Sequence, residues 1–173
     1  DVSKSFGESL VLKKLNLSIY KGEITAVIGK SGTGKSVLLK HIIGLVNQDS
    51  GQIFINGRPL NQLSRSDKKS FHKKLSYMFQ DNALFDFMNI YDNIALPLVE
   101  NSTFPKDQVK NKVFELMKQL GLTGIQEKFP AQLSGGMKKR VALARALVTD
   151  PKIVLFDEPT TGLDPIRKKN VHS

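Results

Sequence analysis

The first third of the chain alternates short apolar runs with polar turns. Residues 15–20 alternate apolar and polar side chains, which predicts a half-buried strand, and residues 24–28 form the uninterrupted apolar run expected of a buried parallel strand. A glycine-rich loop follows at residues 29–34. Apolar positions within residues 37–43 then predict a buried helix that ends near Gly44.

Further along the chain, the hydrophobic pattern changes from one typical of strands to one typical of helices. Residues 52–56 and 75–79 are further strand candidates, but from about residue 83 to residue 147 apolar side chains recur with the period of a helix. Four consecutive apolar residues, 153–156, predict one more strand after this stretch. Strands therefore flank a helical insertion, which is typical of an α/β fold with an inserted subdomain.

Two helices are expected inside the insertion. The first has Pro105 near its first turn and Gly121 at its end. One face of this helix is apolar and consists of Val109, Val113, Leu116, Met117 and Leu120. The second helix has an apolar face of Val141, Ala144 and Leu147.

The length of 173 residues is that of one domain. We expect a single domain over residues 1–173, with an α/β core at about 1–80 and 149–173 and a helical subdomain at about 81–148. A composition of 40% hydrophobic and 24% charged residues fits a folded globular protein and argues against disorder.

Composition also excludes several classes of site. There is no cysteine, which excludes a disulfide framework, a thiolate zinc site and a cysteine nucleophile. No apolar run reaches the roughly 18–20 residues needed to cross a bilayer. The formal net charge of +10 could attract nucleic acid, anionic lipid or an acidic partner. The basic pairs are dispersed and no aromatic side chains interleave with them, so we do not expect nucleic acid as a partner.

A phosphate-binding loop is the first candidate for chemistry. The motif G-x-x-x-x-G-K-[ST] is matched by Gly29, Lys30, Ser31, Gly32, Thr33, Gly34, Lys35 and Ser36. Glycines let backbone N–H groups close around phosphate oxygens, and the helix that follows adds its positive end. Lys35 can reach the β- and γ-phosphates, and the Ser36 hydroxyl can ligate Mg²⁺. We predict nucleotide binding here.

Two adjacent carboxylates, Asp157 and Glu158, end the predicted strand 153–156. Carboxylates at the end of a buried strand are costly unless they serve a purpose. In P-loop enzymes an acidic residue here holds Mg²⁺, which gives Asp157 that role. Glu158 can polarise a water for attack on the γ-phosphate. A helix cap or a solvated turn is the alternative.

The motif Leu-Ser-Gly-Gly-Met at residues 133–137 precedes the second predicted helix. The serine hydroxyl and glycine N–H groups at a helix N-terminus form an anion site. Together with the run 140–147, this motif resembles the signature of ATP-binding-cassette (ABC) ATPases. The resemblance covers nearly all of the chain and implies a P-loop NTPase (RecA-like) core with an ABC-type helical subdomain.

The family resemblance also implies a set of roles. It implies that Phe6 stacks on adenine, with a core position as the alternative, and that Gln80 reaches Mg²⁺ or the attacking water. Residues 162–165 resemble the loop that contacts the opposite subunit. Two copies are expected to pair head to tail, with each ATP between one phosphate loop and the partner's Ser134, Gly135 and Gly136. The implied cofactors are ATP and Mg²⁺.

Two features depart from the family pattern. The signature ends in Met137 rather than glutamine, and methionine cannot donate the amide hydrogen bonds of glutamine. The family's switch histidine follows a further strand, whereas His172 comes soon after Glu158 with no strand between, so we do not assign it. We interpret the chain as lacking the family's last core strands at its C-terminal end.

Residues 78–98 resemble the ATPase subunits of Mla-type (maintenance of lipid asymmetry) phospholipid transporters. This resemblance implies a transmembrane permease, a lipid-binding substrate protein and a peripheral position at the cytoplasmic face of the inner membrane. In the family, the segment after Gln80 docks the permease. Apolar contacts would come from Leu84, Phe85, Phe87 and Met88, or these residues belong to the core of the helical subdomain.

Three other functions remain open from the sequence. The first is a soluble ABC ATPase that acts on ribosomes or nucleic acid, although Lys35 and Ser134 are only 99 residues apart, too close for an inserted coiled coil. The second is a nucleotide-binding module without turnover. The third is a transporter for another cargo, because the cassette does not touch cargo.

Overall fold

A computed structural model describes residues 1–79, 81–100 and 104–157. The chain divides into two compact units, Asp1–Lys73 and Lys74–Ser173. Within the described ranges no helix is long and apolar enough to cross a membrane. Each unit carries part of the predicted chemistry.

The first unit contains short strands and two helices. Its elements are β1 Val2–Phe6, β2 Ser9–Leu15, α1 Lys35–Ile42, β3 Phe54–Ile55, β4 Arg58–Pro59 and α2 Arg65–Lys73, with a 3₁₀ turn at Leu60–Gln62. Strands β1 and β2 form an antiparallel hairpin, and so do β3 and β4. The predicted helix after the glycine-rich loop is confirmed as α1, and Gly44 follows it with a left-handed φ of 73°.

Two strand predictions in this unit are wrong. Residues 16–20 are not a strand, because β1 pairs its first residue, Val2, with Leu15 and the ladder ends there. Residues 24–28 are also not a strand, and Ile24 is fully exposed. A buried strand needs a neighbour for its hydrogen bonds, and none of the three two-stranded sheets in the described ranges includes this segment. Of the strand predicted at residues 52–56, the structure has only the two residues of β3, Phe54–Ile55.

The second unit is mostly helical. Its elements are β5 Leu75–Met78, α3 Ile90–Glu100, α4 Lys106–Gln119, α5 Gly135–Leu147 and β6 Ile153–Phe156, with a 3₁₀ turn at Pro130–Gln132. The strands predicted at 75–79 and 153–156 are confirmed as β5 and β6, and they pair in parallel with Tyr77 opposite Leu155. Helix α5 packs against α3 and β5.

The core of the second unit lies between α3, α4 and α5. Fully buried apolar side chains from these helices and the turn after α4 include Ile90, Ile94, Leu98, Val113, Met117, Leu122 and Val141. The apolar face predicted for α4 is confirmed, because Val109, Val113 and Met117 are buried and Leu116 and Leu120 pack against the same cluster. This core fixes the positions of the two ends of α5.

Asn93 is a fully buried polar residue inside this apolar core. Its Oδ1 accepts a hydrogen bond from the Phe85 N–H at 2.9 Å. Its Nδ2 donates to the carbonyl oxygens of Phe85, Met88 and Asn89, each at 3.0 Å. The Phe85 and Asn89 carbonyls also accept the backbone N–H groups of Met88 and Asn93, at 3.1 and 3.0 Å. The amide side chain of Asn93 therefore adds to the backbone hydrogen bonds of segment 85–89 and fixes the path of the chain before α3.

We predict that Asn93→Ala destabilises the second unit by about 1–3 kcal/mol, because the Phe85 N–H and the Met88 carbonyl lose the hydrogen bonds that the buried Asn93 amide makes to them. Urea unfolding of the full-length protein measures the change. Asn111→Ala, at an exposed position on α4, is the matched control and should shift stability by less than about 0.5 kcal/mol. Equal stability of the two variants would contradict this role for Asn93.

Candidate nucleotide-binding site

The phosphate loop closes around its own lysine. The Lys35 ammonium donates to the carbonyl oxygens of Gly29 at 3.0 Å and Lys30 at 2.9 Å. The Thr33 hydroxyl donates to the same Lys30 carbonyl at 2.8 Å, which ties the two sides of the loop together. The loop therefore holds a positive charge within it, as the binding of a phosphate group requires.

Gly34 joins the loop to α1 and must be a glycine for two reasons. Its φ is 93°, in the left-handed region that side chains disfavour. A Cβ atom here would also lie 2.8 Å from Val11 Cγ1 and 3.1 Å from Leu12 Cδ2 on strand β2. The first turn of α1 contains no acidic residue to neutralise its positive end, and the half-buried Ser36 lies in that turn.

Phe6 lies at the end of β1 with 49% of its surface exposed, so the alternative of a core position is not supported. The Lys4 ammonium lies 5.4 Å from the centre of its ring. Lys4 also pairs with Asp49 Oδ1 at 2.6 Å, and Asp49 Oδ2 accepts the Ser5 N–H at 2.7 Å. These hydrogen bonds hold the pKa of Asp49 below its usual range. An exposed ring of this kind suits the predicted stacking on a base.

Asp157 is buried at the end of β6, and its Oδ2 accepts a hydrogen bond from the Tyr77 hydroxyl at 2.8 Å. Its backbone N–H donates to the Met78 carbonyl at 3.0 Å. Burial, followed by the hydrogen bond to Asp157, raises the pKa of Tyr77. The phenol therefore stays protonated at neutral pH and remains a donor to the carboxylate.

The role of Tyr77 was missed by sequence reasoning, although a signal for it exists. In a parallel pair with Tyr77 opposite Leu155, residues 77, 155 and 157 share one face because strand side chains alternate. A prediction that pairs β5 with β6 would therefore have placed Tyr77 next to Asp157.

The signature motif forms the start of α5. Ser134 is the N-cap residue, and its Oγ accepts the Met137 N–H at 3.3 Å. Gly135 and Gly136 are exposed, and Cβ atoms added to them would meet nothing within 4 Å. The helix therefore presents open N–H groups at its positive end, as an anion site requires.

The packing of Met137 gives a reason for a methionine where the family signature has glutamine. Its half-buried side chain packs against the apolar core of the helical unit. A methionine at this position stabilises the start of α5 by burying apolar surface, while the serine and glycine positions remain on the surface.

Arg145, near the end of α5, holds the segment that follows residue 80. Its guanidinium donates to the carbonyl oxygens of Asn82 and Ala83, each at 2.8 Å. Both residues have left-handed φ values, 62° and 47°, which non-glycine residues adopt at a cost. The guanidinium also lies 5.9 Å from the centre of the Phe85 ring, and burial lowers the pKa of Arg145. No motif in the sequence indicates a separate role for this arginine.

Segment 84–88 contains the four apolar residues that the sequence assigns either to contacts with the permease or to the core of the helical subdomain. Leu84 packs against the core and Met88 is half-buried, whereas Phe85 and Phe87 are 40% and 75% exposed. The segment thus divides between core packing and surface. Beside it lies a groove of about 340 Å³ within the second unit, whose lining includes Tyr77, Phe79, Phe85 and Arg145.

Several predicted site residues lie outside the described ranges. These are Gln80, Glu158 and residues 162–165. His172, to which no role is assigned from the sequence, also lies outside them. Of the predicted Mg²⁺ ligands, the structure describes the half-buried Ser36 in the first unit and the buried Asp157 in the second. A hydroxyl and a carboxylate are the hard oxygen donors that Mg²⁺ prefers, so these residues fit the ion.

Comparison with known proteins gives a consistent result. A family model described as ABC transporter matches residues 12–161. The chain is 45% identical over 166 residues to the probable ribonucleotide transport ATP-binding protein mkl of Mycobacterium leprae, covering 96% of this chain and 48% of that protein. It is 40% identical over 166 residues to the intermembrane phospholipid transport system ATP-binding protein MlaF of Escherichia coli, covering 96% of this chain and 62% of MlaF.

A solved structure supports the same relationship. The ATP-binding cassette MJ0796, described as a dimer in a post-hydrolysis state with ADP and phosphate bound, superposes with a TM-score of 0.82 at 31% sequence identity. That alignment covers 98% of this chain and 76% of the cassette. The P-loop NTPase fold expected from the sequence is therefore confirmed, and the chain spans about half the length of the first curated relatives it matches.

Proposed function

This chain belongs to the ABC transporter family, and we propose that it is the ATP-binding and ATP-hydrolysing part of a transporter subunit that drives phospholipid transport. The observation that carries the ATP-binding proposal is the phosphate loop, closed around Lys35 and followed directly by the positive end of α1. The other predicted nucleotide contacts, Phe6 and Ser134, are both exposed.

Two copies of the subunit would pair head to tail. The phosphates of each ATP would lie against the phosphate loop of one copy and against Ser134, Gly135 and Gly136 of the other. This proposal is supported by the open surface above the two glycines, where a phosphate could approach the N-terminus of α5. The related cassette MJ0796 is described as a dimer in a post-hydrolysis state with ADP and phosphate bound. Nucleotide would then hold the two subunits together, and hydrolysis would release them.

For hydrolysis, Glu158 would orient a water for attack on the γ-phosphorus. The new bond to the water oxygen forms as the bond to the β–γ bridging oxygen breaks, and ADP leaves with that electron pair. Lys35 would neutralise negative charge that develops on the transferred group. Mg²⁺, held by Ser36, Gln80 and Asp157, would supply further positive charge at the phosphates when bound.

The transporter part of the proposal rests on the surface of the second unit. The exposed rings of Phe85 and Phe87, beside the groove that Phe79 and Arg145 help to line, suit an apolar segment of a membrane permease. Docking there would place the subunit at the cytoplasmic face of the inner membrane as a peripheral component. A lipid-binding substrate protein would complete the complex.

The cargo is the least constrained part of the proposal. MlaF is named for phospholipid transport and mkl for ribonucleotide transport, so related cassettes carry names with different cargoes. We favour phospholipid because the segment 78–98 resembles the Mla-type ATPases. Another cargo is the second candidate, and a soluble ATPase on ribosomes or nucleic acid, which the net charge of +10 favours, is the third.

The Lys35→Ala variant tests nucleotide binding. We expect the affinity for ATP to fall by about 10- to 100-fold, because the charged hydrogen bonds that an ammonium makes to phosphate are each worth about 1.5–3 kcal/mol. Isothermal titration of the full-length protein measures it. Lys13→Ala on β2 removes the same charge from an exposed position and should bind ATP normally. Equal affinity of the two variants would contradict the assignment of the phosphate loop.

The Glu158→Gln variant tests turnover separately from binding. We expect the full-length variant to bind ATP and to persist as an ATP-bound dimer, while the hydrolysis rate falls by about 10²- to 10⁴-fold through loss of the general base. A phosphate-release assay and size-exclusion chromatography report the two properties. Hydrolysis at the normal rate would remove Glu158 from its proposed role.

A further inference from the structure

One residue, Tyr77, belongs both to the lining of the groove and to the contacts at the acidic end of β6. Tyr77 is a lining residue of the groove, and its ring packs edge to face against Phe79, with the ring centres 4.5 Å apart. Its hydroxyl donates to Asp157 Oδ2 at 2.8 Å. Phe79 also lines the groove, so an occupant would meet two packed aromatic rings there.

The Tyr77 hydroxyl constrains the side-chain carboxylate of Asp157 rather than its backbone. The sheet already holds the backbone of Asp157, whose N–H donates to the Met78 carbonyl at 3.0 Å. The sheet does not fix the rotation of the Asp157 side chain. A hydrogen bond to its charged carboxylate strongly limits that rotation. Partners of this kind orient carboxylates that ligate metals, and removing them weakens metal binding.

Tyr77 also forms a rigid link between its ring contacts and Asp157. Its ring and hydroxyl move as one rigid group, so a displacement of the ring by a group in the groove displaces the hydroxyl as well. The edge-to-face contact with Phe79 limits the other positions that the ring can take. A displacement of the ring would therefore reach Asp157 over the length of one side chain.

We propose that Tyr77 is a positioning residue that orients Asp157 toward the divalent cation bound with ATP, and that it transmits the occupancy of the groove to this carboxylate. The proposal rests on the proposed function, because it takes Asp157 as a cation ligand and a permease segment as the occupant of the groove. It adds a physical route by which the membrane partner regulates the cation site.

The test uses Tyr77→Phe, which removes the hydroxyl and keeps the ring. The probe is Mn²⁺, titrated into full-length protein with a non-hydrolysable ATP analogue and followed by electron paramagnetic resonance. The analogue is also titrated in EDTA, without a divalent cation. The matched control is Tyr91→Phe, a tyrosine in the same unit whose ring packs against Phe114. Both titrations are made on the isolated subunit and on its complex with the membrane partner.

We expect Tyr77→Phe to raise the Mn²⁺ concentration at half saturation by about tenfold and to leave binding of the analogue in EDTA unchanged. Tyr91→Phe should match the unmodified protein in both titrations. In the unmodified protein, assembly with the membrane partner should shift the Mn²⁺ midpoint, and in Tyr77→Phe this shift should be lost. Phe79→Leu, which keeps the hydroxyl but loosens the ring, should give a smaller change in the same direction.

Each contrary result has a distinct meaning. A Mn²⁺ midpoint in Tyr77→Phe equal to that of Tyr91→Phe would overturn the positioning role while the proposed function stands. A raised midpoint with the assembly shift intact would overturn the transmission from the groove. Loss of analogue binding in EDTA would mean that the hydroxyl acts on the fold and would overturn the proposal. Unmodified protein that binds no nucleotide would overturn the proposed function and this inference together.

Discussion

The parallel pairing of β5 with β6 is the constraint on which the candidate chemistry of the second unit depends. This pairing sets Tyr77 opposite Leu155 and so brings the tyrosine hydroxyl to the carboxylate two residues further along β6. Strand β5 also packs against α5, the helix whose N-cap is the signature Ser134. A shift of one residue in this register would turn Tyr77 to the other face of the sheet and would separate it from Asp157.

Local motifs in the sequence predicted the site better than the sheet around it. The phosphate loop, the N-cap at Ser134 and the helix faces depend on residues close in sequence, and the structure has α1 and α5 where the motifs indicate. The strand expected at residues 24–28 failed because an apolar run indicates what a strand would be made of, but not whether a neighbour pairs with it. For the same reason Tyr77 and Arg145 were missed, because both act on partners more than 60 residues away.

The described contacts connect the elements that an ABC cassette has to coordinate. Arg145 joins the signature helix to the strained backbone of Asn82 and Ala83, and Asn93 holds the chain from Phe85 onward. The segment that carries the exposed rings beside the groove is therefore connected to α5 and α3 through a few side-chain hydrogen bonds. A partner that moves this segment would act on the same unit that presents the signature motif.

We propose that this chain works as the ATPase of a membrane phospholipid transporter. Affinity purification of the tagged full-length protein from detergent-solubilised host membranes, with mass spectrometry of the retained proteins and lipids, tests this proposal. We expect a permease with several transmembrane helices, in defined stoichiometry and with phospholipid bound. Recovery of ribosomal proteins or nucleic acid without a membrane subunit would contradict the transporter claim and would leave an ATPase with a different partner.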